Sequence, residues 1–100
     1  MEYVSHIQEL LFANYKNKIH NMINEEKLKN LISKILKIKI EKITINSGIN
    51  NLEQWDSLAH LSILTEIDNF TKGKASKIRG LSNATTVKEI LKLLKNNKLA

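Results

Sequence analysis

Ser57 stands in the run Trp55-Asp56-Ser57-Leu58-Ala59-His60-Leu61, where a long polar stretch gives way to an amphipathic pattern. A hydroxyl at such a junction can serve in two ways. The side-chain oxygen of Asp56 or Ser57 can cap the helix by accepting a hydrogen bond from a free first-turn N–H. A helix start also presents free N–H donors and the positive end of its dipole, so a phosphodiester on Ser57 would gain about 0.3–1 kcal/mol. The two roles are compatible, and spacing alone leaves both open. Ser5, Ser33, Ser47, Ser62, Ser76 and Ser82 lack the Asp-Ser-Leu setting.

Other chemistry is thin. His6, His20 and His60 are scattered, with no carboxylate or second histidine at metal-ligand spacing, so no metal site is expected. His60 reads as a structural histidine on a helix. Three glycines form no phosphate-cradling loop. Glu25 and Glu26 suit a helix's first turn better than an acid/base pair. The chain has no cysteine, which excludes a disulfide framework and a cysteine nucleophile. Any thiol chemistry must then come from a bound cofactor. No catalytic residues are expected, and the chain is not read as an enzyme.

Helical spacing dominates the elements around Ser57. Leu28, Leu31, Ile32, Ile35 and Leu36 follow i, i+3, i+4, i+7, i+8, predicting a helix over 25–37. Leu58, Leu61, Ile63, Leu64, Ile67 and Phe70 cover about half the circumference of a helix over 57–70, with Ser62, Thr65, Glu66 and Asn69 opposite. Val87, Ile90, Leu91 and Leu94 predict a third helix over 86–96, opened by a Thr86/Glu89 capping box. The alternation Lys39-Ile40-Glu41-Lys42-Ile43-Thr44-Ile45 could pass for a strand, but no second run exists to pair with it. Residues 38–56 are therefore expected as a long functional loop pinned by Ile40, Ile43 and Ile49. Residues 72–84, with Gly73 and Gly80, suit a loop carrying one short helical turn. Val4, Ile7, Leu11 and Tyr15, followed by Ile19, Met22 and Ile23, form the stripe of one more helix.

One hundred residues, 42% of them hydrophobic, can bury one modest core. The expected organisation is an N-terminal helical extension over 1–22 and a single compact domain over 23–100. No apolar run approaches the roughly 20 residues that span a bilayer, and no signal-like segment opens the chain, so a cytoplasmic location is expected. The net charge is +6, unevenly spread. Between Ile43 and Thr71 there is no lysine or arginine, while Glu53, Asp56, Glu66 and Asp68 all fall there. The remainder holds all 16 basic residues against six acidic ones. The acidic segment coincides with the Ser57 motif.

Asp56-Ser57-Leu58, with Trp55 before it, Leu61, Leu64, Ile67 and Phe70 after it, and later Ala84-Thr85-Thr86-Val87-Lys88-Glu89-Ile90, resembles the acyl carrier protein family over residues 25–97. Gly73-Lys74-Ala75-Ser76-Lys77-Ile78-Arg79-Gly80-Leu81 is similar to a subgroup of stand-alone bacterial carriers. The resemblance implies an all-α, acyl-carrier-like four-helix bundle with a long first loop, a short third helix and, here, an extra N-terminal helical segment. It implies covalent 4′-phosphopantetheine on Ser57, whose thiol holds an acyl or aminoacyl group as a thioester. The implied partners are a phosphopantetheinyl transferase and the enzymes that load and transfer the acyl group. Asp56 and Leu58 are the implied docking residues, Glu66 joins them as part of the acidic segment that partners would approach, and Leu61, Leu64, Ile67 and Phe70 are the core or a cargo pocket. Two alternatives come from other classes. One is a basic all-α module that binds nucleic acid through Lys72, Lys74, Lys77 and Arg79, although a solvated loop is the plainer account of that cluster. The other is a carrier-fold interaction protein that is never modified.

Overall fold

The computed structural model describes residues 22–100, and the stripe predicted over the first 21 residues lies outside them. Helix α1, Glu25–Leu36, buries Leu28, Ile32 and Leu36 at four-residue intervals. Asn24 caps it by accepting the Lys27 N–H at 2.8 Å, with Glu25 and Glu26 in the first turn facing the dipole. Lys37, predicted as the last helical residue, instead closes the helix in the left-handed region with φ 57°. The Ser33 carbonyl accepts the N–H groups of Lys37 and Ile38.

Residues 37–56 form the expected loop and contain no strand. A 3₁₀ turn, Ile40–Lys42, is followed by an isolated bridge between Gly48 and Thr86. Of the three isoleucines expected to pin the loop, Ile43 is buried while Ile40 and Ile49 are half-buried. The larger anchor is Trp55, 1% exposed. Gly48 is required where it stands, because a Cβ there would run into the Thr85 carbonyl oxygen.

Helix α2, Ser57–Phe70, buries His60, Ile63 and Ile67. The wider apolar arc expected for it is not all core. Leu58 and Leu61 are 76% and 61% exposed, and Leu64 and Phe70 are half-buried. The inward line is set by positions 60, 63 and 67, and Leu61 lies about 100° around the helix from His60. Thr71 ends α2, its hydroxyl donating to the Ile67 carbonyl at 2.8 Å and accepting the Ala75 N–H at 3.0 Å.

In place of one helical turn, or of a short third α-helix, residues 72–84 hold two 3₁₀ turns, Ala75–Lys77 and Leu81–Asn83. Ala75, Ile78, Leu81 and Ala84 are all buried. Their three-residue interval explains the geometry, since side chains at i and i+3 eclipse in a 3₁₀ path. Helix α3, Val87–Asn96, buries Val87, Ile90, Leu91 and Leu94. Beyond it Lys98 is left-handed, and the buried Leu99 carbonyl accepts the Ile23 N–H at 2.6 Å.

The described residues are thus all-helical, with three α-helices, three 3₁₀ turns and one hydrophobic core to which the three α-helices and the turns Ala75–Lys77 and Leu81–Asn83 contribute. No helix among them is long and apolar enough to cross a membrane.

Candidate functional site

The start of α2 answers the capping question left open by the sequence. Asp56 is extended, with φ −91° and ψ −175°, and its Oδ1 accepts the Ala59 N–H at 2.8 Å. The Asp56 carbonyl accepts the His60 N–H at 2.8 Å. Asp56 is therefore the cap and Ser57 the first helical residue. Ser57 is exposed, and its hydroxyl makes no hydrogen bond among the described residues. The N–H groups of Ser57 and Leu58 are likewise without partners there. No carboxylate occupies the first turn of α2 itself. An unengaged hydroxyl thus sits beside two unengaged N–H donors at the positive end of a 14-residue helix.

Beneath this surface the turn is rigidly built. The Trp55 N–H donates to the Leu52 carbonyl at 3.0 Å, closing the turn that delivers the chain to the helix. The Trp55 indole is buried and donates to His60 Nδ1 at 3.1 Å, and His60 Nε2 lies 3.2 Å from the Ser82 carbonyl oxygen. His60 is a structural histidine, as expected. Its partners carry no sequence signal, since one lies five residues before it and the other is a backbone carbonyl 22 residues after it.

The implied docking residues are only partly brought together. Asp56 and Leu58 are exposed on either side of Ser57, and exposed Leu61 extends the surface by about one helical turn. Glu66 is exposed too, but nine residues along it falls about 180° around the helix from Ser57. It lines a groove between α1 and α2 with Lys27, Lys34, Leu31, Ile35 and Phe70. That groove, about 850 Å³, lies away from Ser57. On the Ser57 side, a cleft of about 270 Å³ opens between α2 and residues 75–82, walled by Leu64, Thr65, Asp68, Ile78, Leu81 and Ser82.

Lys72, Lys74, Lys77 and Arg79 are all exposed on the segment behind this cleft. Among the described residues no three histidine, cysteine or carboxylate side chains gather to hold a metal ion. Every buried polar side-chain atom described has a partner. No family model, curated protein or solved structure matches the chain.

Proposed function

We propose that the chain is an acyl-carrier-type protein of the stand-alone bacterial kind, carrying an acyl or aminoacyl group as a thioester on 4′-phosphopantetheine attached to Ser57. It is not an enzyme in this reading but a substrate for others. The observation that carries it is the division of labour at the start of α2. Asp56 does the capping, which leaves the Ser57 hydroxyl exposed, unbonded and free to react.

The residues present fit the group. Its phosphodiester would be held by the free N–H groups of Ser57 and Leu58, and the arm supplies the thiol that a chain without cysteine lacks. In the loading step the Ser57 oxygen bonds to the pantetheine-side phosphorus of coenzyme A while the pyrophosphate P–O bond breaks. Adenosine bisphosphate leaves, and the hydroxyl proton passes to a base on the transferase. Asp56 fixes the helix start and adds negative charge beside the serine. Leu58 and Leu61 offer apolar contact to the transferase and to loading and transfer enzymes.

The four-helix bundle of this family also belongs to the proposal. In this reading α1, α2 and α3 would take three of its places and residues 72–84 that of the short helix.

The test is the mass of the protein after coexpression with a broad-specificity phosphopantetheinyl transferase. The wild type gains one phosphopantetheine and Ser57→Ala gains none. A wild type that stays unmodified with every transferase tried overturns the reading. Salt-dependent binding of DNA or RNA by that unmodified protein would instead favour the nucleic-acid alternative.

A further inference from the structure

Trp55 and His60 have no part in the chemistry just described, yet they form a buried, hydrogen-bonded pair next to Ser57. The indole is 1% exposed and the imidazole 9%. Their ring centroids are 6.0 Å apart at 29°, and the Trp55 Nε1–His60 Nδ1 distance is 3.1 Å. An indole N–H can only donate, so His60 Nδ1 must be the acceptor. The proton of a neutral imidazole then resides on Nε2, and the 3.2 Å contact with the Ser82 carbonyl is a hydrogen bond donated by His60. One tautomer satisfies both bonds, giving a directed chain from Trp55 through His60 to Ser82.

The Trp55–His60 bond closes a six-residue ring of chain, 55 to 60, and Ser57 lies inside it. The Asp56 cap on Ala59 lies within the same ring. An apolar pair at 55 and 60 could fill the same volume, but it would not fix their relative orientation as a hydrogen bond does. The second bond carries the restraint to Ser82, which belongs to the Leu81–Asn83 turn and walls the cleft on the Ser57 side.

We infer that His60 is a positioning residue. Through Trp55 it sets the turn that presents the Ser57 hydroxyl, and through Ser82 it ties that turn to the wall of the neighbouring cleft. The consequence for modification rests on the carrier reading, whereas the restraint itself does not.

Three substitutions in the full chain separate the two bonds. His60→Phe keeps a ring and loses both. Asn at position 60 places an amide oxygen near Nδ1 and keeps only the bond from Trp55. Gln there places an amide N–H near Nε2 and keeps only the bond to Ser82. Trp55 is the chain's one tryptophan, so its indole proton gives a single NMR signal.

In His60→Phe the indole N–H should exchange at least about tenfold faster, and the kcat of Ser57 modification from coenzyme A should fall about tenfold. KM should hold within about twofold, because Asp56 and Leu58 remain in place. His60→Asn should recover most of kcat, and His60→Gln little. Wild-type kcat and indole exchange in His60→Phe would overturn the inference. If that variant fails to fold, equal rates for the Asn and Gln variants would overturn it. A wild type that no transferase modifies removes the carrier reading alone. Exchange at the Trp55 indole and the Ser57 amide, unchanged or accelerated across the variants, then decides the restraint.

Discussion

Helices α2 and α3 begin alike, each with an extended polar cap whose side chain accepts the N–H three residues on. Their donors fare differently. At α3 the Val87 N–H donates to the Ser47 carbonyl and the Lys88 N–H to the Ile45 carbonyl, both at 2.9 Å. Glu89 N–H goes to the Thr86 hydroxyl at 3.1 Å and Ile90 N–H to the Thr86 carbonyl at 3.0 Å. The three first-turn donors of that helix end that lack an intrahelical partner, Val87, Lys88 and Glu89, are thus all used, and two of them staple the long loop to the bundle. At α2 only Ala59 and His60 are served, and Ser57 and Leu58 face outward. α1 also leaves its first two N–H groups open, but Glu25 and Glu26 already place negative charge there. At α1 two first-turn carboxylates stand beside the open donors, at α2 the single carboxylate of the Asp56 cap, and at α3 the donors are already engaged.

The comparison predicts where damage shows. Trp55→Ala should be the most costly change, about 3–5 kcal/mol in urea unfolding, because the open start rests on a fully buried indole. A surface site without this foundation would lose little. Gly48→Ala attacks the closed start by driving a Cβ into the Thr85 carbonyl. It should cost about 1–3 kcal/mol while leaving the modification rate per folded molecule unchanged. Asp56→Ala removes the α2 cap and should cost about 0.5–2 kcal/mol, whereas Asp56→Asn keeps an equivalent cap without the charge. The difference in transferase rate between Asp56→Asn and the wild type then measures the charge alone. Ser57→Ala should shift stability by less than about 0.5 kcal/mol yet abolish the mass gain. A larger loss of stability would mean that the hydroxyl is structural and the two helix starts are not functionally distinct.

Much of this could be read from the sequence, and the failures have physical causes. The three α-helices follow from 3.6-residue spacing, with ends displaced by a residue because caps depend on φ and ψ. The Thr86/Glu89 box was half right. Thr86 accepts the Glu89 N–H, but the Glu89 carboxylate takes the Thr86 hydroxyl proton at 3.1 Å. The segment 72–84 reads as a loop with one turn because apolar residues at every third position fit neither a helix nor a strand template. The choice between Asp56 and Ser57 as cap could not be made from spacing, since adjacent oxygens reach the same donors. The exposure of Leu61 and the separation of Glu66 from Ser57 depend on which line of α2 faces the core. That line is set by Ile63, Ile67 and a histidine whose burial is made possible by its two hydrogen bonds. Residues 1–21 lie outside the described structure, and the helix expected there stands as an expectation.

The bond between the Ile23 N–H and the Leu99 carbonyl brings the two ends of the described fold side by side. Such a domain can be rewired. A short glycine-serine linker from Ala100 to Met22 would close residues 22–100 into a circle, and new termini could be opened between Lys72 and Gly73, in a turn at the end of α2. The same adjacency suits insertion into a loop of a host protein, where entry and exit need only a narrow gap.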